Sequence, residues 1–80
     1  MIPVGSIGPW AAGIDEAERA ARFRELRVLA AVYVGSRHSL TVALGEAVTD
    51  AASSERARVE LSSLPALTRR RLLSVYGALL

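Results

Sequence analysis

The segment that decides the fold is EAERAARFRELRVLAAVYV, which occupies residues 16–34. Alanine, leucine, arginine and glutamate dominate its sequence, and all four have high helix propensity. Asp15 precedes the segment and Glu18 follows three residues later, a spacing that resembles a capping box, whereas Gly35 is typical of a helix C-terminus. The sequence therefore predicts a first helix that begins next to Asp15 and ends before Gly35.

The second half of this helix is the ambiguous part of the sequence. Residues 28–34 are apolar on every side, which predicts burial at the centre of the molecule. The same residues include three valines and a tyrosine, which favour strands, and residues 41–44 continue this pattern after a short polar loop. An alternative interpretation is therefore an α+β fold with a hairpin near residues 28–44. The preceding helical sequence and Leu29-Ala30-Ala31 favour the helix.

Two further helices are indicated by apolar residues at helical spacing. Ser39 is positioned to cap the second helix, whose apolar face comprises Leu40, Leu44, Ala47, Val48 and Ala51. A third helix follows a turn with a cap at residues 52–54, and one side of it carries Ala57, Leu61 and Leu64. Pro65 cannot lie comfortably inside a helix, so the third helix is expected to end near residues 63–65.

The last helix is expected to start at Pro65 or Thr68 and to run towards Leu80. Its apolar stripe consists of Thr68, Leu72, Val75, Tyr76 and Leu79. Leu73 and Leu80 fall outside that stripe, so the apolar face is wider than one neighbouring helix requires. We therefore predict that Leu73 and Leu80 contact a partner.

Residues 1–13 differ in character from residues 14–80. They read MIPVGSIGPWAAG, in which proline and glycine break regular structure and no side chain is charged. We therefore predict an extended apolar arm, residues 1–13, attached to a helical domain, residues 14–80. The candidate partner-binding residues of the arm are Ile2, Val4, Ile7 and Trp10. In the alternative interpretation, Trp10 closes the small core of its own chain.

The composition limits the class of protein. The chain has 80 residues, of which 51% are hydrophobic, with no cysteine and one histidine. Disulfides and thiolate metal sites are therefore excluded, and we expect neither a metal nor a cofactor. A core of this size contributes only about 3–5 kcal/mol, and the surplus apolar surface indicates contact with a partner. The predicted fold is all-α, with three or four short helices around a small core.

The charged residues give weak support for nucleic-acid binding. The net charge is +2, and all ten basic residues are arginines. The candidate anion- or nucleic-acid-binding residues are Arg56, Arg58, Arg69, Arg70 and Arg71. Phosphate contacts dominate affinity for nucleic acids, and the near balance of charges supplies few of them. A small DNA- or RNA-binding protein of helix-turn-helix type, built on the second and third helices, is therefore the alternative function.

No catalytic motif is recognisable, because the sequence has no nucleophile elbow, no phosphate-binding glycine loop and no zinc-type histidine pair. We therefore expect no catalytic residue and no enzyme activity. The predicted function is a small helical interaction or structural subunit that self-associates or is built into a larger protein assembly, such as a virion or a multi-subunit complex. A secretory signal and a membrane span are not recognisable, so the expected location is the cytoplasm or a larger assembly.

Overall fold

The computed structural model describes residues 8–79, which form four α-helices and contain no strand. The helices are α1 (Glu16–Tyr33), α2 (Ser39–Ala47), α3 (Ser53–Ser62) and α4 (Ala66–Leu79). The predicted all-α fold is confirmed. The alternative hairpin near residues 28–44 is wrong, because those residues form the end of α1, a short loop and the start of α2.

Both ends of α1 have the local structure that the sequence predicts. Asp15 is the N-cap, and its Oδ1 accepts a hydrogen bond from the Glu18 backbone N–H at 2.7 Å. At the other end, Gly35 has a φ of +102° and donates its N–H to the carbonyl of Ala31 at 3.2 Å. Glycine adopts this left-handed conformation without steric cost, which explains why the helix stops here.

The loop between α1 and α2 is held by polar contacts that turn the chain into a second helix. The Thr41 hydroxyl is buried and donates to the Gly35 carbonyl at 2.8 Å. The N-cap of α2 is His38, whose Nδ1 accepts from the Leu40 N–H at 3.0 Å. The prediction that Ser39 caps this helix is therefore wrong. Ser39 is the first helical residue, and its hydroxyl donates to Glu60 Oε2 on α3 at 2.6 Å.

The starts of α3 and α4 also depend on residues just before each helix. Asp50 accepts hydrogen bonds from the Ala52 N–H and from the Ser53 hydroxyl, at 3.1 and 3.2 Å, so an aspartate organises the turn before α3. The N-cap position of α3 is Ala52 and makes no side-chain cap bond. The α4 helix begins directly after Pro65, whose carbonyl accepts from the Arg69 N–H at 3.0 Å.

The core lies where α1 packs against α2 and α4, while α3 packs against α2. Each helix contributes from one face, and the buried cluster comprises Phe23, Leu26, Ala30, Leu40, Ala43, Leu44, Ala47, Ala57, Leu61, Leu64, Leu72 and Tyr76. The prediction that residues 28–34 are buried on every side is wrong. Val28 and Val32 are 64% and 75% exposed, because the neighbouring helices cover only one face of α1.

Gly45 marks the close approach of α2 to α1. A Cβ at this position would lie 3.2 Å from Nε of Arg27, whose side chain crosses from α1. Glycine inside a helix destabilises it by about 1 kcal/mol relative to alanine, so its presence here calls for a structural explanation. The absent side chain leaves room for the Arg27 stem between the two helices.

Tyr76 carries the one buried side-chain polar atom without a hydrogen-bond partner in the described residues. The residue is 1% exposed, and its hydroxyl contacts no donor or acceptor. Burial raises the pKa of Tyr76 to about 12, and the negative charge of Glu25 on α1 adds to this effect. An unpaired hydroxyl in a core loses its hydration without a compensating hydrogen bond. The buried ring of Tyr76 therefore stabilises the fold, whereas its hydroxyl destabilises it.

We expect Tyr76→Phe to raise the free energy of unfolding at pH 7 by about 1 kcal/mol, because the ring is retained and the unpaired hydroxyl is removed. The two proteins should also differ at alkaline pH. The folded pKa of Tyr76 lies above the ordinary value of 10. Ionisation of Tyr76 therefore favours the unfolded chain. The free energy of unfolding of the wild type keeps this contribution in full below pH 10 and loses it as the pH rises towards 12.

Urea unfolding of both proteins between pH 7 and pH 11.5 measures this difference. The chain has no cysteine, all ten basic residues are arginines, and arginine stays protonated in this range. The wild-type protein should therefore lose more stability than Tyr76→Phe above pH 10. Equal losses in the two proteins would contradict the assignment of the buried hydroxyl.

Candidate interaction surfaces

The indole ring of Trp10 packs within its own chain. It forms an edge-to-face contact with Phe23, with ring centroids 5.5 Å apart and an interplanar angle of 89°. Its Nε1 donates to the carbonyl of Ser54 at 2.9 Å, which joins the N-terminal segment to the first turn of α3. The other predicted partner-binding residues of the arm, Ile2, Val4 and Ile7, lie outside the described residues.

Two arginines of α1 hold the backbone of the N-terminal segment. Arg19 Nε donates to the carbonyl of Pro9 at 3.0 Å, and Arg22 Nη1 donates to the carbonyl of Gly8 at 3.3 Å. Pro9 and Ala11 are buried. The described end of the arm therefore lies against α1 and α3.

A cleft of about 350 Å³ opens beside Trp10, between the start of α1 and the α2–α3 turn. We call it the Trp10 cleft. Its apolar lining comprises Trp10, Ala20, Phe23, Ala47, Val48 and Ala51, and its polar lining comprises Glu16, Arg19, Thr49, Asp50 and Ser54. The volume is typical of sites that accept a small molecule or the side chain of a partner.

The rim of the Trp10 cleft is negatively charged. Glu16 is exposed and makes no ion pair within residues 8–79. Asp50 also lines the cleft, and its carboxylate accepts the two hydrogen bonds of the α2–α3 turn. Arg19 is the positive group of the lining, and its Nε is bound to the Pro9 carbonyl. Glu18, in the same turn of α1, does not line the cleft, and its carboxylate binds Arg22 Nε at 3.0 Å. An apolar group that carries positive charge is therefore the complementary occupant.

The three consecutive arginines of α4 have different surroundings. Arg69 is half buried, and its Nη1 donates to the carbonyls of Ser62 and Leu64 at 2.8 and 3.4 Å. These carbonyls lie at the C-terminal end of α3, where a positive charge is favourable. Arg70 and Arg71 are exposed and form no ion pair in the described part of the chain.

Leu67 extends this exposed surface of α4. It is 55% exposed in the first turn of the helix, and Arg70 and Arg71 follow at i+3 and i+4, so the three residues share one face. We call Leu67, Arg70 and Arg71 the Leu67 face. It combines an apolar side chain with two positive charges.

The two arginines predicted on α3 are paired with acids. Arg56 Nη1 lies 3.3 Å from Glu46 Oε2 on α2, and Arg58 binds Glu55 with its Nε 3.0 Å from Oε2. The hydrogen bond from Arg58 lowers the pKa of Glu55 below its usual value. All four side chains are exposed, so these pairs contribute little to stability, although they balance the charge of the arginines.

Leu73 and Leu80 are the partner-binding residues predicted on the last helix. Leu73 is half buried and packs against the core. Leu80 lies outside the described residues. The apolar side chains that the structure exposes most are instead Val28, Val32, Tyr33, Val42, Val59 and Leu67.

Sequence patterns missed two features of these surfaces. Leu67 lies outside the predicted stripe of α4, because it precedes Thr68 by one residue and is therefore rotated by 100° from it around the helix axis. The Trp10 cleft has no sequence signature, since it combines residues from the arm, α1 and the α2–α3 turn.

Residues 8–79 contain neither a cluster of metal ligands nor a membrane-spanning helix. No group of three or more histidine, aspartate or glutamate side chains is placed to hold a metal ion there. None of the helices in that range combines the length and the apolar character needed to cross a bilayer. Comparison with protein families, curated proteins and solved structures finds no match to this chain.

We expect Arg69→Ala to lower the free energy of unfolding by about 1 kcal/mol, because the carbonyls at the end of α3 lose a charged donor. Arg70→Ala, the matched control one residue along, should change it by less than about 0.5 kcal/mol, as exposed substitutions usually do. Thermal or urea unfolding of the two variants measures the difference. A larger loss for Arg70→Ala would contradict the position of α4 relative to α3.

Proposed function

We propose that this protein is a non-enzymatic helical subunit that associates with further copies of itself, or with other subunits, in a larger protein assembly. The main evidence for this proposal is that several large apolar side chains of the protein are exposed to solvent. Five exposed aliphatic residues are spread over all four helices, namely Val28, Val32, Val42, Val59 and Leu67.

The size of the core supports this function. Twelve buried residues form a single cluster, with no disulfide to reinforce it. Small domains of this kind often gain stability from association, because burial of further apolar surface adds to a core that is weak by itself. Val28 and Val32 are one turn apart on α1 and form a continuous apolar strip that another protein surface could cover.

Nucleic-acid binding by a helix-turn-helix of α2 and α3 is the alternative proposal. It needs exposed, uncompensated basic side chains on α3. Arg56 and Arg58 are both engaged by carboxylates, which favours the protein-interaction proposal. Arg70 and Arg71 are the remaining exposed basic candidates, and they lie on α4.

We expect the purified chain to associate at micromolar concentration and its melting temperature to rise with protein concentration, because association stabilises the folded state. Sedimentation velocity and thermal unfolding over a hundredfold range of concentration measure both effects. A folded monomer with a constant melting temperature would rule out self-association. Binding to duplex DNA or RNA that weakens steeply with salt would instead favour the alternative.

A further inference from the structure

We propose that the copies associate head to tail, with the Leu67 face of one copy docked in the Trp10 cleft of the next. The proposal rests on the proposed self-association and specifies its geometry. The lining of the Trp10 cleft combines apolar side chains with two carboxylates and one arginine, whereas the Leu67 face combines an apolar side chain with two positive charges. The second copy is therefore a partner whose chemistry matches the cleft.

The apolar parts of the two surfaces are complementary. Leu67 is a single large side chain that projects from the first turn of α4 and is 55% exposed. The cleft has a volume of about 350 Å³, and the apolar part of its lining includes Trp10, Val48 and three alanines. Transfer of an exposed leucine onto these apolar side chains removes both surfaces from water, which is the main source of affinity in protein interfaces.

The charged parts are complementary as well. Arg70 and Arg71 form no ion pair within the described residues, and they flank Leu67 on α4. On the cleft, Glu16 is likewise unpaired within residues 8–79, and Asp50 is a second carboxylate of the lining. When Leu67 enters the cleft, the two guanidinium groups come close to these carboxylates. Such an arrangement orients the partner and excludes wrong partners more than it adds affinity.

The two surfaces lie at opposite ends of α3, so one copy cannot satisfy both by itself. The cleft includes Ser54 in the first turn of α3, whereas Arg69 binds the Ser62 carbonyl at the last turn and places the start of α4 there. The ten residues of α3 separate the two ends by about 15 Å. A contact between two different surfaces is heterologous, and it extends into a ring or a filament unless one of the surfaces is blocked.

Two variants that block one surface each test this geometry. Leu67→Glu removes the apolar side chain and adds a negative charge, and the new carboxylate is compatible with the first turn of α4. Glu16→Arg combined with Ala51→Arg reverses the rim charge and fills the cleft opening, at two exposed positions. Ser36→Glu is the control for the added carboxylate, because Ser36 is exposed in the loop between α1 and α2 and belongs to neither surface. Circular dichroism establishes that each variant is folded.

Each blocked variant alone should associate at least about tenfold more weakly than the wild type, and Ser36→Glu should behave as the wild type. An equimolar mixture of the two blocked variants should form a 1:1 heterodimer and nothing larger, because each copy retains one intact surface. Sedimentation velocity measures these species. If the wild type associates, either of two results would overturn the head-to-tail geometry. In one, the mixture of blocked variants remains monomeric; in the other, a blocked variant alone still associates as strongly as the wild type. A monomeric wild type would instead reject the self-association on which the geometry rests.

Discussion

The packing of one face of α1 against α2 and α4 is the contact on which the rest of the structure depends. Phe23, Leu26 and Ala30 lie on that face and are fully buried. Both neighbouring helices need this surface, because an amphipathic helix of 9 or 14 residues has little stability in water by itself. The α3 helix does not pack extensively on α1 and is held through α2, the Arg69 bond and the N-terminal segment.

Arginine joins the separate elements of this small protein. Arg19 and Arg22 bind backbone carbonyls of the N-terminal segment, and Arg69 binds carbonyls at the end of α3. The planar guanidinium reaches such acceptors over long distances while its aliphatic stem covers apolar surface. Several of the ten arginines therefore act in folding, and the composition overstates the positive charge that a partner could contact.

The limited number of helices explains why apolar surface remains exposed. Two neighbours cover about one side of α1, so Val28 and Val32 stay in contact with solvent although their segment is apolar throughout. The same limit leaves a cleft beside Trp10, lined by residues of α1 and the α2–α3 turn. Exposed apolar groups and a charged cleft are thus consequences of the same small architecture, and together they favour association.

The sequence by itself determined the helices of this protein, because their signals are local. Asp15 and Gly35 bound α1, and Pro65 precedes α4. Apolar residues at helical spacing identify most of the buried residues, although Ala51, predicted on the apolar face of α2, is exposed beyond the end of that helix. Only the tertiary structure decided which apolar residues remain exposed, which arginines bind carbonyls and where Leu67 and the Trp10 cleft lie. These features depend on which helices become neighbours, and residues far apart in the chain, such as Trp10 and Ser54, contribute to each of them. Spacing along one helix carries no information about such contacts.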